Sequence, residues 1–531
     1  MDYIEILDTT LRDGAQTTGV SFTLEEKLKI VEKLDELGVD YIEGGWPSSN
    51  PKDSEFFRRV KDLTLRNSKI AAFGSTAKVG VPIRLDQSLN SILEADVSVA
   101  VLFGKSWSLH VEKVLKCSFE ENLEIVYNSV NYLREHGLKV IFDAEHFFDG
   151  YLDNPEYALK VLKAAEEAKA ETIVLADTNG GNIFTTIMKV VQNVRREIKS
   201  RIGIHTHNDS GLAVANTLAA VEAGARHVQG TINGLGERCG NADLIQILPA
   251  LIFKMNFNAL RTNLPREEKL RKLKSIATYV AEASGMPLSP YHPYVGEYAF
   301  SHKGGVHIDA VLKEKRAYEH IDPGLLGNLT RFVVSDQAGR AAILQEAFEM
   351  GLKLSKDEPA LTKALQEIKN MEAEGCKFDN ATGSIRLVIL KFLGYNIDRL
   401  KIISWRTLVE RGPTDRVEAI VTLQLNGEIV HGIGNGVGPV HALDLALRDA
   451  LLRRLPQLER VKLVNYKVSV VDAARGTGAA VRVFIEFTDG EKSWACTAYS
   501  RNILEASLKA LIDGYTYKLI TYELEKDLVN R

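Results

Sequence analysis

Two histidines and one acidic segment have the residue types and spacing that suit metal chemistry. His205 and His207 are two positions apart on a predicted strand, so both side chains face the same way. Asp13, in the segment Asp8-Thr-Thr-Leu-Arg12-Asp13-Gly after the first predicted strand, would add a carboxylate, and Asn241 a weaker fourth oxygen. Such a set suits Zn²⁺, Mn²⁺, Co²⁺ or Mg²⁺ without choosing among them. The alternatives are a plain capping turn after the first strand and two separately hydrogen-bonded histidines.

An open metal position beside Arg12 would hold a 2-oxo acid, with Arg12 stabilising the developing alkoxide. Glu145 is a candidate base for removing a proton from a carbon acid. It could instead be a solvated carboxylate or a hydrogen-bond partner of a histidine. In a later Gly-rich loop, His307 with Asp309 alongside is a candidate general acid or base, and His302 is the alternative.

A second Gly-rich segment is a candidate anion site. Gly234-Leu-Gly236-Glu-Arg-Cys-Gly-Asn241 precedes a predicted helix start, where backbone N–H groups can bind an anionic group such as a CoA phosphate. A Gly motif taken alone is weak evidence for such a site.

These residues meet at one place if residues 1 to about 260 form a closed barrel. Short β-type runs alternate there with amphipathic helices, and eight strands are predicted: Ile4–Asp8, Val39–Gly44, Lys69–Phe73, Val97–Phe103, Lys139–Asp143, Thr172–Ala176, Ile202–Thr206 and His227–Ile232. Eight β/α units in this length predict a (β/α)₈ TIM barrel, whose active face lies at the C-terminal strand ends. A doubly wound sheet is the alternative, but no dinucleotide fingerprint follows the first strand.

The rest of the chain predicts two further parts. We expect the catalytic barrel at residues 1–265, a helical linker subdomain that completes the active site at 266–395, and an α+β domain at 396–531. In the last part a strand–strand–helix unit recurs after 63 to 64 residues, since Asn426-Gly-Glu matches Asp489-Gly-Glu. This duplicated unit carries little acid–base machinery, which favours a regulatory, ligand-binding or dimerising role.

Composition excludes several classes of protein. The net charge of −4 and the lack of a Lys/Arg-rich block argue against nucleic-acid binding. No apolar run approaches the length of a membrane span, and the four cysteines form no CxxC pair. We therefore expect a cytoplasmic protein without disulfides.

The motifs together resemble one enzyme family. Asp8-x-Thr-x-Arg12-Asp13-Gly, His205-x-His207, Gly-Leu-Gly-Glu-Arg-x-Gly-Asn241 and His307-x-Asp309 are similar to those of the 2-isopropylmalate, homocitrate and citramalate synthases. The C-terminal Gly-Asn-Gly-x-Gly-Pro resembles that family's regulatory domain, so the resemblance covers essentially the whole chain. Gly-Gly-Trp46-Pro most resembles the branch that acts on pyruvate.

The resemblance implies a Claisen condensation. Acetyl-CoA would lose a methyl proton, attack pyruvate held on a divalent metal, and yield citramalate and CoA after thioester hydrolysis. It implies Arg12 as the group that polarises the ketone, Thr178 at the substrate carboxylate, and His307 and Tyr318 assisting with acetyl-CoA, possibly across a homodimer. The duplicated domain would bind a feedback amino acid, with isoleucine expected if the product feeds that pathway.

The fifth strand end, Asp143-Ala-Glu145-His, departs from relatives and puts an extra carboxylate near the pocket. We expect Trp46, Phe73 and Leu102 to narrow that pocket, a hypothesis that rests on bulk and strand-end position.

The alternatives are enzymes that act on larger 2-oxo acids, a CoA-thioester lyase or aldolase, a transcarboxylase, and an amino-acid-binding regulator on an inactive barrel. No Ala-Met-Lys-Met motif for biotin is present, and the intact Arg12, Asp13, His205, His207 and Glu145 set argues against an inactive barrel.

Overall fold

The chain folds as two compact units. The computed structural model describes residues 2–334, 340–355, 357–410, 412 and 415–529, with the backbone alone for 527–529. One unit is Met1–Phe300 with Ile321–Leu329, and the other is Ser301–His320 with Thr330–Arg531. The domain boundaries at 265 and 395 divide the chain more finely and stay predictions.

The first unit contains the predicted alternation of strands and helices. Its elements are β1 Tyr3–Asp8, α1 Leu24–Leu37, β2 Tyr41–Gly45, α2 Pro51–Arg59, β3 Lys69–Ser75, α3 Gln87–Glu94, β4 Val99–Lys105, α4 Ser108–His110, α5 Phe119–Glu135, β5 Lys139–Glu145, α6 Phe147–Asp153, α7 Pro155–Glu167, β6 Thr172–Asp177, α8 Phe184–Glu197, β7 Arg201–Thr206, α9 Ala213–Glu222, β8 His227–Gly230, α10 Leu244–Pro249, β9 Asn258–Ala259 and α11 Leu273–Ser284.

The strands β1 to β8 close into a parallel barrel. Each pairs with the next in chain order, and β1 pairs with both β8 and β2. The short β9 pairs with the first residues of β1, Tyr3 and Ile4, on the edge opposite β8. The (β/α)₈ prediction is therefore confirmed, and the C-terminal strand ends lie at one face as expected.

Local sequence signals begin and end the helices of this unit. Thr23 and Glu26 form a reciprocal capping box at the start of α1, and Gly38 ends that helix in the left-handed conformation. Asn50 caps α2, whose first residue is Pro51. Each cap contributes about 1 kcal/mol.

Two apolar layers pack on the barrel strands because successive side chains alternate between faces. Leu7, Val101 and Val174 belong to a cluster inside the barrel. Ile6 and Leu102 belong to the larger cluster that packs the strands against the helices. The position of each residue along its strand thus decides whether it faces the barrel interior or the helices.

The second unit combines helices with two small sheets. Its elements are β10 Ser301–His302, α12 Gly305–Lys313, β11 Arg331–Phe332, α13 Arg340–Glu349, α14 Pro359–Ala373, α15 Thr382–Phe392, β12 Leu400–Glu410, β13 Arg416–Leu425, β14 Glu428–Asn435, α16 Pro439–Leu452, β15 Lys462–Val470, β16 Val481–Thr488, β17 Ser493–Ser500 and α17 Ile503–Val529. No helix in the described residues is long and apolar enough to cross a membrane.

The prediction that His302, His307 and Asp309 share a Gly-rich loop is wrong in part. Helix α12 begins at Gly305 and contains His307 and Asp309. Ile308 and Val311 are three residues apart and both buried, which stabilises a helix in spite of the two glycines at its start.

The predicted C-terminal duplication is confirmed, and each repeat contains one strand more than the sequence predicts. Strands β12, β13 and β14 form one antiparallel sheet followed by α16, and β15, β16 and β17 form another followed by α17. The first strand of each sheet was missed because β12 and β15 are edge strands that are largely exposed. The matched turns contain Gly427 and Gly490, with φ of +93° and +92°.

The two repeats pack their helices differently. In the first, a Cβ added at Gly432 on β14 would overlap the carbonyl oxygen of Ala446 on α16. In the second, the glycine is on the helix, since a Cβ at Gly514 of α17 would overlap the Phe487 ring on β16. The close approach thus depends on a strand glycine in one repeat and a helix glycine in the other.

Candidate active site

Three predicted metal ligands converge at the C-terminal face of the barrel. His205 is the next-to-last residue of β7, His207 directly follows that strand, and Asp13 lies in the turn after β1. His205 Nε2 lies 3.4 Å from Asp13 Oδ2. His207 Nε2 lies 4.0 Å from the same oxygen. The two Nε2 atoms are 3.2 Å apart, and all three residues are buried.

The protonation states of this trio suit a divalent cation. Burial would raise the pKa of Asp13, but the charge of Arg12, with a hydrogen bond from Asn241, contributes to holding it at about 2. Burial lowers the pKa of His205, and burial together with His205 lowers that of His207 to about 3. One carboxylate and two neutral imidazoles are therefore available at neutral pH, as metal ligands must be.

Asn241 adds an oxygen to this cluster. Its Nδ2 donates to Asp13 Oδ2 at 2.8 Å. Its buried Oδ1 has no hydrogen-bond partner among the described residues. A buried amide oxygen without a partner is costly, so this atom fits the predicted role of a further ligand.

Several N–H groups of the predicted anion site at residues 234–241 donate hydrogen bonds within the protein. The N–H of Gly236 donates to Thr17 Oγ1 at 2.7 Å. The N–H of Gly234 donates to the Thr231 carbonyl at 3.4 Å, and that of Asn241 donates to the Gly234 carbonyl at 3.0 Å. A Cβ at Gly236 would also overlap Asn241 Oδ1. The glycines therefore allow close packing around Asn241, and the anion-binding role of the segment stays a prediction.

Arg12 is fixed beside the trio. Its Nε donates to Glu43 Oε2 at 2.6 Å, its NH1 lies 3.2 Å from Asp13 Oδ2, and its guanidinium lies 3.8 Å above the Phe73 ring. Burial lowers the pKa of Arg12, but Asp13 and Glu43 more than offset this and leave it raised. The arginine stays charged beside the cavity.

Glu43 lies at the end of the second strand, where the sequence places polar residues of the active face, but the sequence assigns it no role. It is fully buried, and burial raises its pKa to about 7 in spite of the Arg12 charge. A bulge in β2 between Glu43 and Gly45 shifts the strand register by one residue. Glu43 and Trp46 therefore both reach the barrel mouth although they are three residues apart, as bulges beside active sites often arrange.

Asp8 and Thr10 shape the turn that carries Arg12 and Asp13. Asp8 Oδ1 accepts a hydrogen bond from the Thr10 N–H, and Oδ2 accepts one from the Thr10 hydroxyl, both at 2.9 Å. The Thr10 hydroxyl in turn accepts from the Ile232 N–H at 2.9 Å. Burial raises the pKa of Asp8 to about 7.

Glu145 lies at the same face, at the end of β5. Its carboxylate forms an ion pair with Lys105, the residue opposite it in the register of β4 and β5. Thr178 lies after β6, where its hydroxyl accepts a hydrogen bond from the His146 N–H at 2.9 Å. The sequence does not predict Lys105 as a site residue, because a lysine at a strand end is equally compatible with exposure to solvent.

A cavity of about 200 Å³ joins most of the predicted residues. It is lined by Arg12, Asp13, Gln16, Trp46, Phe73, Phe103, Asp143, Glu145, Ala176, Thr178, His205, His207 and Glu237. The structure thus brings together the predicted ligands, the arginine, the candidate base and the threonine around one space.

Three aromatic rings form one wall of the cavity. The Trp46 ring meets those of Phe73 and Phe103 edge-on, each at 5.7 Å between centroids, and the two phenylalanines stack at 5.2 Å. The prediction that Leu102 narrows the pocket is wrong. Leu102 is fully buried on the helix side of β4, and the next residue, Phe103, takes that position because strand side chains alternate.

Asp143 is joined to His205 through Gln229 on β8, a residue that the sequence did not single out. Gln229 Nε2 donates to Asp143 Oδ1 at 2.9 Å, and Gln229 Oε1 lies 2.9 Å from His205 Nδ1. Burial and the neighbouring Glu43 raise the pKa of Asp143 well above its usual value. No sequence signal marks Gln229, because β8 reads His-Val-Gln-Gly and the glutamine is distinguished only by its buried contacts.

The predicted site residues of the linker subdomain lie in the second unit. His307 on α12 stacks on Tyr318, with centroids 4.2 Å apart. Asp309 is two residues further along the helix, on another side, and pairs with Lys313 at 2.5 Å. His302 Nε2 lies 3.5 Å from Glu319 Oε1. The roles of His307, Asp309 and Tyr318 stay predictions.

Three family models match successive parts of the chain. The HMGL-like model matches residues 3–280, the homocitrate synthase post-HMGL domain-like model 294–375, and the LeuA allosteric (dimerisation) domain model 381–519. The first of these covers the barrel and its candidate site.

Whole-chain relatives narrow the family. The (R)-citramalate synthase of Sulfolobus acidocaldarius is 53% identical over 526 residues, covering 99% of this chain and 98% of the relative. That of Geobacter sulfurreducens is 45% identical, covering 98% of each. The 2-isopropylmalate synthase of Methanocaldococcus jannaschii is 33% identical, covering 97% of this chain and 94% of the relative. The chain therefore belongs to the HMGL-like family and, within it, to the (R)-citramalate synthases.

Proposed function

We propose that the chain catalyses the (R)-citramalate synthase reaction, in which acetyl-CoA, pyruvate and water give (R)-citramalate and free CoA. The observation that carries the proposal is whole-chain identity of 53% and 45% to (R)-citramalate synthases, against 33% to a 2-isopropylmalate synthase. The small cavity with its aromatic wall supports a small 2-oxo acid. Homocitrate-type synthases and a CoA-thioester lyase or aldolase of this barrel type remain weaker alternatives.

The proposed reaction uses a divalent metal held by Asp13, His205 and His207, with Asn241 alongside. When bound, the metal supplies Lewis acidity to the ketone and carboxylate of the 2-oxo acid. The low pKa of Asp13 and the neutral imidazoles support this role. Thr178 lines the same cavity and would donate its hydroxyl to the substrate carboxylate.

Arg12 would stabilise the charge that develops on the ketone oxygen. Its guanidinium is held from two sides by Glu43 and by the face of the Phe73 ring, so it needs no rearrangement when the charge forms. Preorganised positive charge in a buried site is usually the largest single contribution to such catalysis.

Glu145 would remove a proton from the methyl group of acetyl-CoA. The resulting carbon nucleophile attacks the ketone carbon of pyruvate and forms the new C–C bond, and water then cleaves the thioester to release CoA. The ion pair with Lys105 holds the Glu145 carboxyl at the wall of the cavity, where a base must lie to reach the substrate. His307 and Tyr318 would assist with acetyl-CoA, and Asp309 with His307.

The proposal extends to regulation and assembly. The match of residues 381–519 to an allosteric dimerisation domain supports a homodimer with amino-acid feedback, for which isoleucine is the candidate inhibitor. The four cysteines, all within the described residues, are free thiols, which supports a cytoplasmic location. Inhibition by isoleucine but not by leucine, and a dimer mass in solution, would test this part.

Release of free CoA tests the central proposal. A thiol-reactive dye should report CoA when pyruvate is added to enzyme and acetyl-CoA, and a chelator should abolish the signal. A higher kcat/KM for 2-oxoisovalerate than for pyruvate would instead favour a 2-isopropylmalate synthase. CoA release without added 2-oxo acid would contradict a synthase.

A further inference from the structure

A buried chain of hydrogen bonds supports one histidine of the trio. Gln229 is fully buried, and Asp143 and His205 are each 6% exposed. The chain runs from Asp143 Oδ1 to Gln229 Nε2 and from Gln229 Oε1 to His205 Nδ1, with both contacts at 2.9 Å. It crosses the barrel from β5 to β7 through β8.

The orientation of the Gln229 amide determines the direction of each bond in this chain. Gln229 Nε2 donates to Asp143 Oδ1, which places the accepting Oε1 of the amide toward His205 Nδ1. His205 Nδ1 must then carry its proton, and His205 Nε2 keeps a lone pair toward Asp13 and His207. The orientation of the glutamine amide thus selects the histidine tautomer that binds a metal through Nε2.

His207 has no comparable support. Its Nδ1 is buried without a hydrogen-bond partner among the described residues. Of the two imidazoles, only that of His205 therefore has a hydrogen-bond partner at Nδ1 among the described residues. Any loss of the Asp143–Gln229 chain should act on His205 first.

We infer that Asp143 and Gln229 are positioning residues that hold His205 in its metal-binding tautomer and orientation. This inference rests on the proposed metal-dependent function. It also gives the extra carboxyl of the fifth strand a role that needs no contact with the 2-oxo acid. Removal of such partners costs 10–100-fold in metal affinity in other metal sites.

Two substitutions of Asp143 distinguish this role from an electrostatic one. Asp143→Asn keeps an oxygen that can accept from Gln229 Nε2, whereas Asp143→Leu does not. If Asp143 anchors the amide, the Leu variant should bind metal about 10–100-fold more weakly and the Asn variant close to the parent. If Asp143 acts by charge, both variants should lose affinity equally.

Calorimetric titration of the chelator-treated full chain with Mn²⁺ measures this affinity without turnover. Gln229→Met keeps the side-chain length, removes both bonds, and should weaken Mn²⁺ as much as Asp143→Leu, which provides the test if the latter fails to fold. In the double variant Asp143→Leu with Gln229→Met, the losses should not add. Asp86→Leu is the control, since it removes a buried helix-capping carboxylate away from the site. It should lower the melting temperature without changing Mn²⁺ affinity.

Four outcomes would overturn the inference. An equal loss of Mn²⁺ affinity in the Asn and Leu variants of Asp143 would assign the effect to charge, and unchanged affinity in Gln229→Met would show that the amide does not support the site. Absence of Mn²⁺ binding in the parent would count against the metal in the proposed function, and the inference would fall with it. Binding in the parent with unaffected variants would refute the inference alone.

Discussion

Phe103→Ala should change which 2-oxo acid the enzyme prefers. Phe103 lines the cavity, stacks on Phe73 at 5.2 Å and meets Trp46 edge-on at 5.7 Å. It is a better target than Phe73, whose ring also supports the Arg12 guanidinium at 3.8 Å. Replacement of Phe103 by alanine therefore opens the aromatic wall and leaves the contacts of Arg12 in place, while Lys105 loses a ring whose centroid lies 5.6 Å from its ammonium group.

The expected size of the change follows from the substrates. 2-Oxoisovalerate carries an isopropyl group where pyruvate carries a methyl group, which is two more carbons. Each buried methylene contributes about 0.8 kcal/mol, so accommodating both favours the larger acid by about 1.6 kcal/mol. This corresponds to a shift of about 15-fold in the ratio of kcat/KM values. The intermediate acid, 2-oxobutanoate, should shift by about 4-fold.

The assay is CoA release with each acid across a range of concentrations, and Leu102→Ala is the matched control. Leu102 is the preceding residue on β4 and packs on the helix side of the strand. Its truncation should cost about 2–5 kcal/mol of stability and leave the ratio unchanged.

A ratio within about twofold of the parent for Phe103→Ala would refute the assignment of this ring to the specificity wall. An equal shift in Leu102→Ala would assign the effect to general loosening of the barrel. Loss of activity toward all three acids would indicate that the ring positions the site instead of limiting substrate size.

Three further predictions concern the proposed base, the buried carboxyl of the first turn and the metal site. Glu145→Gln should lower kcat by about 10²–10⁴-fold with little change in KM for pyruvate, and a larger effect on KM than on kcat would argue against a base. Asp8 has a folded pKa of about 7 against 3.8 in the unfolded chain, so its contribution to stability is fully present below pH 3.8 and is lost as pH rises through 7. Urea unfolding of metal-free enzyme should therefore show about 3 kcal/mol less stability at pH 8 than at pH 5 from this residue, and Asp8→Asn should remove that difference. Mn²⁺ at about 100 times its Kd should stabilise the chelator-treated enzyme by about 2.7 kcal/mol, and Asp13→Asn should abolish the shift in melting temperature.

Much of the site could be predicted because strand ends and residue types are local signals. The alternation of strands and helices predicted the barrel, and barrel closure brought Asp13 beside His205 and His207 although they are far apart in sequence. Arg12 and Glu145 followed from the same reasoning, since strand C-terminal ends meet at one face.

The missed features depend on register and on burial. The bulge after Glu43 changes which β2 residues face the cavity, and no sequence pattern marks it. The choice between Leu102 and Phe103 needs the strand parity, which a single apolar run does not give. Gln229 has no charge and no motif, so only its buried contacts identify it. On α12, two glycines predicted a loop where buried apolar spacing gives a helix.

The opposite placement of glycine in the two C-terminal repeats means that they are no longer exchangeable parts. Helix α16 fits a strand that has lost its side chains at Gly432 and Gly434, whereas α17 supplies the gap at Gly514 for a bulky strand ring. A side chain at Gly432 would overlap the backbone of α16 at Ala446, and a side chain at Gly514 would overlap the Phe487 ring, so each helix packs closely on the sheet of its own repeat. If two copies of the chain exchanged these helices, each helix would pack only on the sheet of its own repeat. The two repeats have thus diverged into two sheet–helix pairs, each with its own complementary packing.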